Sequence, residues 1–542
     1  MERREYIVAL KEGVDYNKFW NEMETITNQH PFIPDQAISI VNERPGSTRS
    51  CHYSLTDAEA EQLRIDPRVY TVEIPPDQRT DIQIGLRFTS QPGNFEKTTS
   101  DSGSFINWGL RRCIDYANAY GTSSTASGNY TYVNDGTGVD IVVQDSGLQV
   151  DHPEFFNAQG GTRVEQINWY TASGLPGTQS SVHYRDYDGH GTHVAGIAAG
   201  KNYGWAKNSK IYSVKIRGLE GAGDLDPITA QGSGIPISDA FDVIKLWHLN
   251  KPIDPETGYK RPTVVNMSWG YFTTYVNING GSYRGTPWAG ASRRSDYGMI
   301  GSPFGLNFAG SAQVPSVNSD VEELIAAGVI VCIAAGNNFE KVDVSGGLDY
   351  NNYWTSSLYG NIYYHQGASP QSPNAISVGS IDSSVYSASL DQKSTFSNQG
   401  PGVDISAPGS NIMSATSNTN KWGVGSQNYY LNSSYRQTNI SGTSMASPQV
   451  AGVAALYLQS NPAASPANVK SFLVGQTNPL NDRIYETGLD NDYTDQRSTW
   501  GGNQNFLFWP YAVANPMPGA EEITTRISGG VSFKGSISLK FN

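Results

Sequence analysis

The chain has 542 residues, with 37 Lys or Arg against 50 Asp or Glu, a formal charge of −13 and no basic run. That balance excludes a nucleic-acid binder, which needs a basic face, and 38 % apolar with 11 % aromatic residues excludes a largely disordered chain. The longest apolar run, Leu324 to Gly336, is short of the ~20 residues of a membrane-spanning helix.

Residues 1–77 read as a small α+β unit. Tyr6 to Leu10 is a strand candidate, and Asp15 caps a helix with apolar positions Tyr16, Phe19, Trp20, Met23 and Ile26. Thr56-Asp57-Ala58-Glu59 is a capping box for a helix ending near Arg64, and Val69 to Ile74 is a strand closed by Pro75-Pro76. The N-terminus has no apolar segment of the secretory kind, so no such signal is expected; a cytoplasmic origin, another export route and a virion all stay open. Residues 78–106 have linker composition, rich in Gly, Ser and Thr.

From about Asn107 to residue 500, β-rich runs alternate with helical stretches. The runs are Val139–Val143, Ile211–Ile216, Thr263–Met267, Val329–Ala334 and Ala375–Val378; the helices are Gly191–Ala199, Ser238–Leu249, Val321–Ala327 and Ser444–Gln459. This predicts an α/β domain with a mostly parallel sheet sandwiched by helices. Residues 271–314 and 338–369 break the rhythm and read as surface insertions. Residues 501–542 read as a β-rich tail, with alternation from Val531 to Phe541 predicting a hairpin that covers a sheet edge or docks into a larger assembly. Cys51, Cys113 and Cys332 are odd in number and far apart, so neither a disulfide framework nor a Cys-x-x-Cys metal site is expected.

Four segments carry chemistry: Asp145-Ser146-Gly147 after an apolar strand, His190-Gly191-Thr192-His193 opening a helix, Asn337 after another apolar strand, and Gly442-Thr443-Ser444 opening a long helix. In an open parallel sheet, the ends of strands and starts of helices converge on one crevice. There, His190 could take a proton from Ser444, Asp145 could hold the imidazole tautomer, and the Ser444 N–H with the Asn337 amide could bind an oxyanion.

These segments resemble the signatures of the subtilisin-like serine proteases, in the family's chain order Asp, His, Ser. The resemblance implies Asp145, His190 and Ser444 as the triad, Asn337 as the oxyanion residue, and a polypeptide substrate hydrolysed without a cofactor. Ser268, Trp269 and Gly270 resemble the segment that pairs with substrate; Ala334, Ala335 and Gly336 would form another wall of the specificity pocket. Residues 5–74 resemble the family's inhibitory propeptide, so the chain would be its own intramolecular inhibitor, cut between about Ile74 and Asn107. Trp108-Gly109-Leu110-Arg111-Arg112 and the short Gly200 to Lys207 stretch resemble the proteinase K branch.

Two departures stand out: Trp269 replaces a smaller residue, read as a packing variant or as a reshaped pocket, and a polar Gln144 precedes the acid. Some family members bind Ca²⁺ through an acid after a His-Pro pair and a long Asn-rich loop. Glu154 matches the acid while the 200–207 stretch lacks the loop, and Asp490, Asn491, Asp492 and Asp495 form a second cation candidate against a solvated-loop reading. His190 and His193 as a metal pair lack a third ligand, and His193 reads as a packed helix residue. A lipase fails on triad order and lacks a Gly-x-Ser-x-Gly elbow. The alternative from another class is a latent or inactive assembly component on a protease scaffold.

Overall fold

The computed structural model describes residues 3–24, 30–33, 38–86, 107–114, 130–221, 223–274, 278–290, 297, 299, 309–357, 360–387, 390–421, 426–475, 480–487 and 495–514. The N-terminal unit holds β1 (Arg4–Leu10), α1 (Tyr16–Glu24), β2 (Ile40–Asn42), β3 (Ser50–Leu55), α2 (Asp57–Arg64) and β4 (Val69–Glu73). Its sheet has the order β2-β3-β1-β4, and Phe19, Met23, Ala60 and Leu63 pack the two helices into one core with it. Asp15 accepts the Lys18 N–H, and Thr56 and Glu59 close the capping box as their sequence predicts. Ile26 lies outside the described residues.

The stretch read as linker contains a strand, β5 (Gln83–Leu86). Its backbone pairs with a distant strand of the main domain, so composition alone misjudged it. There follow α3 (Trp108–Arg112), β6 (Tyr130–Tyr132), β7 (Asp140–Asp145), α4 (Trp169–Ser173), α5 (His190–Ala199), β8 (Lys210–Lys215), α6 (Ile237–Asn250), β9 (Thr263–Met267) and β10 (Trp269–Thr274). Next come β11 (Ile278–Tyr283), β12 (Thr286–Ala289), β13 (Ala309–Ser311), α7 (Pro315–Ala326), β14 (Ile330–Ala334), β15 (Tyr353–Ser356) and β16 (Gly360–Tyr363). The rest is β17 (Ile376–Ser387), β18 (Leu390–Lys393), β19 (Ile405–Pro408), β20 (Ile412–Thr416), β21 (Gln427–Tyr429), β22 (Asn432–Ile440), α8 (Thr443–Ser460), α9 (Pro466–Leu473) and β23 (Ala512–Ala514).

The central sheet runs β17-β14-β9-β7-β8 in parallel, with β19 parallel and β18 antiparallel to β17. Both faces are buried, which is why the strands are continuous apolar runs. One face packs on α5 and α8, the other on α6 and α7. Strand alternation then sorts β7: Ile141 and Val143 face the α5–α8 side, Val142 the α6–α7 side. Asp145 continues the first series and Gln144 the second.

Two boundaries move, and the two insertions join. Helix α7 starts at Pro315, six residues before the apolar signal, because proline's fixed φ suits the first helical position. The two insertions form one sheet, β12-β11-β15-β16, with Trp354 and Tyr364 buried beneath it. The main core continues past residue 500: Phe506, Leu507 and Trp509 are buried in the α5–α8 core. The expected hairpin lies outside the described residues.

The N-terminal unit docks on α6 and α7 through a buried cation. Arg44 reaches Asp242 on α6 (3.2 Å) and Asp320 on α7 (3.0 Å). Burial outweighs the attraction of Arg44 and pushes the Asp320 carboxyl up to about 7. Around it, Glu323 accepts from Ser47 Oγ (3.1 Å) and Thr48 N (3.0 Å), and Glu73 accepts from Ser316 N (2.7 Å) in the first turn of α7.

Candidate active site

Asp145 ends β7, and the chain turns at once through Gly147, whose φ of +120° suits glycine. Asp145 Oδ1 accepts from Ser146 N (2.7 Å) and from His190 Nδ1 (2.8 Å). A carboxylate oxygen needs a donor, so this contact assigns the proton to Nδ1 and leaves Nε2 as the basic nitrogen. Both side chains are fully buried. His193, one turn on, points away: its Nε2 donates to Ile412 O (3.1 Å) and Thr438 O (3.0 Å), and burial pushes it down to about 3. It is a packed, neutral imidazole. Among the described residues no group of three His, Cys, Asp or Glu is placed to hold a metal.

Ser444 lies in the first turn of α8, a helix buried along most of its length. Helices α5 and α8 touch where a Cβ on Gly452 would stand 2.7 Å from Ala198 O, a fit that only small residues allow. His190 and Ser444 each lie eight residues before that crossing. The Ser444 hydroxyl donates to Ser268 O at 2.9 Å. Pro448 lies inside α8 and has no N–H for the carbonyl four residues back, which is Ser444 O. Ser268 Oγ fills the vacancy at 3.0 Å. Asn266 donates to Ser268 Oγ (2.8 Å) and accepts from Ser447 Oγ (2.8 Å), tying the end of β9 to the start of α8.

Asn337 follows β14. Its Oδ1 accepts from Thr443 N and Thr443 Oγ1, both at 2.9 Å. A backbone N–H can only donate, so the amide orientation is determined and Nδ2 is left facing away from Thr443. That Nδ2 is buried with no partner. Gly336 N donates to Thr443 Oγ1 (3.1 Å), and Asn398 binds Ala335 O (3.1 Å) and Gly336 O (2.9 Å), so the Ala334-Ala335-Gly336 wall is braced from behind. Nothing in sequence spacing marks Thr443 or Pro448 for these roles; both depend on contacts between distant segments.

The two sequence departures explain each other. Trp269 is fully buried between Phe241 and Tyr271, and its Nε1 donates to Gln144 Oε1 at 3.2 Å. Gln144 in turn donates to Ala240 O. The indole therefore fills the α6 side of the core, and the reading of Trp269 as a pocket-shaping side chain is corrected to packing. A buried indole N–H needs an acceptor, which is why the polar residue precedes Asp145.

The backbone of Trp269 pairs with another strand. Strand β5 pairs antiparallel with β10, Leu86 opposite Trp269, Gly85 opposite Gly270 and Gln83 opposite Phe272. Ile84 also lies close to Gly218: a Cβ there would stand 3.0 Å from its Cγ2. Leu86 thus stands opposite the residue that follows Ser268, whose carbonyl accepts from Ser444 Oγ.

The sequence pattern of the subtilase family matches residues 136–501. The chain belongs to the subtilase family. Among curated relatives it is 29 % identical over 431 residues to the extracellular serine proteinase of Thermus sp. (strain Rt41A), covering 80 % of this chain and 71 % of that protein. It is 29 % identical over 477 residues to proteinase R of Parengyodontium album, covering 87 % and 84 %, in accord with the proteinase K-like branch. The match to alkaline serine exoprotease A of Vibrio alginolyticus, also 29 %, takes in 68 % of this chain and only 46 % of that protein. A solved cold-adapted subtilisin-like serine proteinase is similar at 25 % identity with a TM-score of 0.42, covering 75 % of this chain and 98 % of that one.

Glu154, the acid that resembles a family calcium ligand, is surrounded by donors in this structure. Glu154 is fully buried with its oxygens engaged by Asn202 N (2.8 Å), Tyr203 N (3.1 Å), Asn202 Nδ2 (2.6 Å) and Tyr429 OH (2.7 Å). The carbonyls beside it carry a guanidinium: Arg163 donates to Ala199 O (2.5 Å), Ser209 O (2.9 Å) and Glu154 O (3.2 Å). A cation there would have to displace both sets. Of the second cluster, Asp490, Asn491 and Asp492 lie outside the described residues, and Asp495 is paired with Arg497 at 2.9 Å.

Proposed function

We propose that this chain is a serine endopeptidase, made as a precursor that its own N-terminal unit inhibits. The observation that carries the reading is the buried, partnerless Nδ2 of Asn337 beside the start of α8, with the bonded Asp145–His190 pair joining the end of β7 to the start of α5. Ser444 Oγ attacks the peptide carbonyl carbon while His190 Nε2 takes its proton. Asp145 holds the imidazolium that results. Asn337 Nδ2 and the Ser444 N–H bind the oxyanion, the latter at a helix terminus with no intrahelical acceptor. Collapse expels the amine, which takes the proton from His190, and water repeats the sequence to free the acid. No cofactor enters.

Self-inhibition is supported by β5, which lies along β10 as an extended peptide would, and by the Arg44 clamp behind it. A fluorophosphonate probe is expected to label Ser444 once the precursor is processed, and the mature chain is expected to begin after Leu86. An unlabelled protein under all conditions, or a new N-terminus before Gln83, would contradict the reading.

The clamp has its own test. Arg44→Ala leaves Asp242 and Asp320 buried without their cation, a loss of about 3–5 kcal/mol. In a Ser444→Ala background, added trypsin is expected to remove the N-terminal unit at least tenfold faster from the Arg44→Ala protein. Equal rates would show that Arg44 does not hold the unit in place.

A further inference from the structure

We propose that Asp186 is a positioning residue for the base, a role that rests on the endopeptidase reading above. Asp186 lies four residues before His190 and is 4 % exposed. Its carboxylate accepts four hydrogen bonds. Oδ1 takes Ser146 Oγ (3.0 Å) and Gly189 N (2.8 Å); Oδ2 takes Thr192 N (2.9 Å) and Thr192 Oγ1 (2.5 Å). Ser146 Oγ accepts Gly191 N (2.9 Å) in turn, and Thr192 Oγ1 accepts Gln149 N (3.0 Å).

These bonds join two segments that the chain separates by about forty residues. One is the turn that follows Asp145. The other is the first turn of α5, which begins with His190. The helix start has N–H groups with no partner inside the helix, and Asp186 and Ser146 satisfy three of them, at 189, 191 and 192. A negative charge at this terminus is also favoured by the helix dipole. The two segments touch so closely that a Cβ on Gly191 would stand 2.1 Å from Gly147 O. One carboxylate therefore sets the helix carrying the base against the strand carrying its acid, and with it the 2.8 Å contact between His190 Nδ1 and Asp145. Asp186 touches neither substrate nor reacting atoms; it acts through His190.

The asymmetry of donors makes the test sharp. Each oxygen of Asp186 accepts a backbone N–H, which cannot reverse its role. Asp186→Asn must aim its NH2 at one of them and replace a bond by a clash. The helix start then shifts against the acid. A misplacement of ~1 Å costs about 10²-fold in rate.

The measurement is kcat and KM per active site, with sites counted by the fluorophosphonate burst so that unfolded protein drops out. For Asp186→Asn, kcat per titrated site is expected to fall by about 10- to 100-fold with KM within twofold. Ser146→Ala keeps the carboxylate and removes one link, so a smaller fall in the same direction is expected. A merely structural role would lower Tm and the titrated fraction but leave kcat per site within twofold of the parent, and that result overturns the proposal. If Asp186→Asn yields no folded protein, Ser146→Ala decides: an unchanged kcat per site overturns it as well. A parent protein that titrates and turns over keeps the endopeptidase reading intact in every one of these cases; a parent that does neither removes both.

Discussion

Ser444→Ala is expected to abolish peptide hydrolysis, with a loss on the order of 10⁶ in kcat, the size found for the nucleophile of subtilisin itself. The loss is so large because the remaining machinery cannot substitute. His190 then has no alcohol to deprotonate, and the oxyanion donors await a tetrahedral intermediate that does not form. Stability should hardly change. The hydroxyl donates to Ser268 O at 2.9 Å, and removing both the donor and its need for a partner costs about 1 kcal/mol. Ala also suits the first turn of a buried helix. The variant should therefore remain folded, keep its N-terminal unit uncut, and show one band at full length by mass. Peptide hydrolysis within tenfold of the parent would remove Ser444 as nucleophile.

Asn337→Ala is expected to lower kcat by about 10²–10³ with little change in KM, a magnitude measured on the corresponding amide of subtilisin. The structure adds a reason for the split between kcat and KM. Nδ2 is buried without a partner in the resting protein, so its bond is made only when the oxyanion develops, and a group that binds only then acts on kcat. The substitution also strips Thr443 N and Thr443 Oγ1 of their acceptor, at about 1 kcal/mol of helix capping. Asn337→Asp separates the two effects. It keeps the acceptor for Thr443 but offers no donor and adds a negative charge beside the oxyanion, so its kcat should fall at least as far while the start of α8 stays capped. Steady-state kinetics of both variants checks this. An Asn337→Asp protein as active as the parent would exclude the amide from the reaction.

The positions of the candidate residues along the chain were readable because each sits where an apolar run stops or a helix starts, and those are local patterns. Asp145, His190, Asn337 and Ser444 all announced themselves that way. Asp186 did not, although it lies within the same run as His190. Followed by Tyr187 and Asp188, it carries no local signal, and only its four donors, drawn from two segments, give it a role. Strand β5 was missed for a related reason. Its partner is β10, nearly two hundred residues away, and a four-residue strand has too little periodicity to stand out from a polar linker.

Trp269 and Gln144 show the same division. Each was visible as a departure, but the sequence could not say that they were one. In a strand, successive residues face opposite sides, so Gln144 and Asp145 are neighbours in the chain and strangers in space: one supports the indole beneath the sheet, the other the base above it. Sequence by itself determined the α/β class, the chemical identity of the catalytic candidates and the existence of an N-terminal unit, because periodicity, caps and short motifs are written within a few residues. Tertiary structure alone decided which donors meet which acceptors: that Thr443 orients Asn337, that Arg44 is caged by two helices, and that β5 pairs with β10. Hydrogen bonds and burial have ranges of a few ångströms in space, whatever the distance along the chain, and only folding brings such partners within that range.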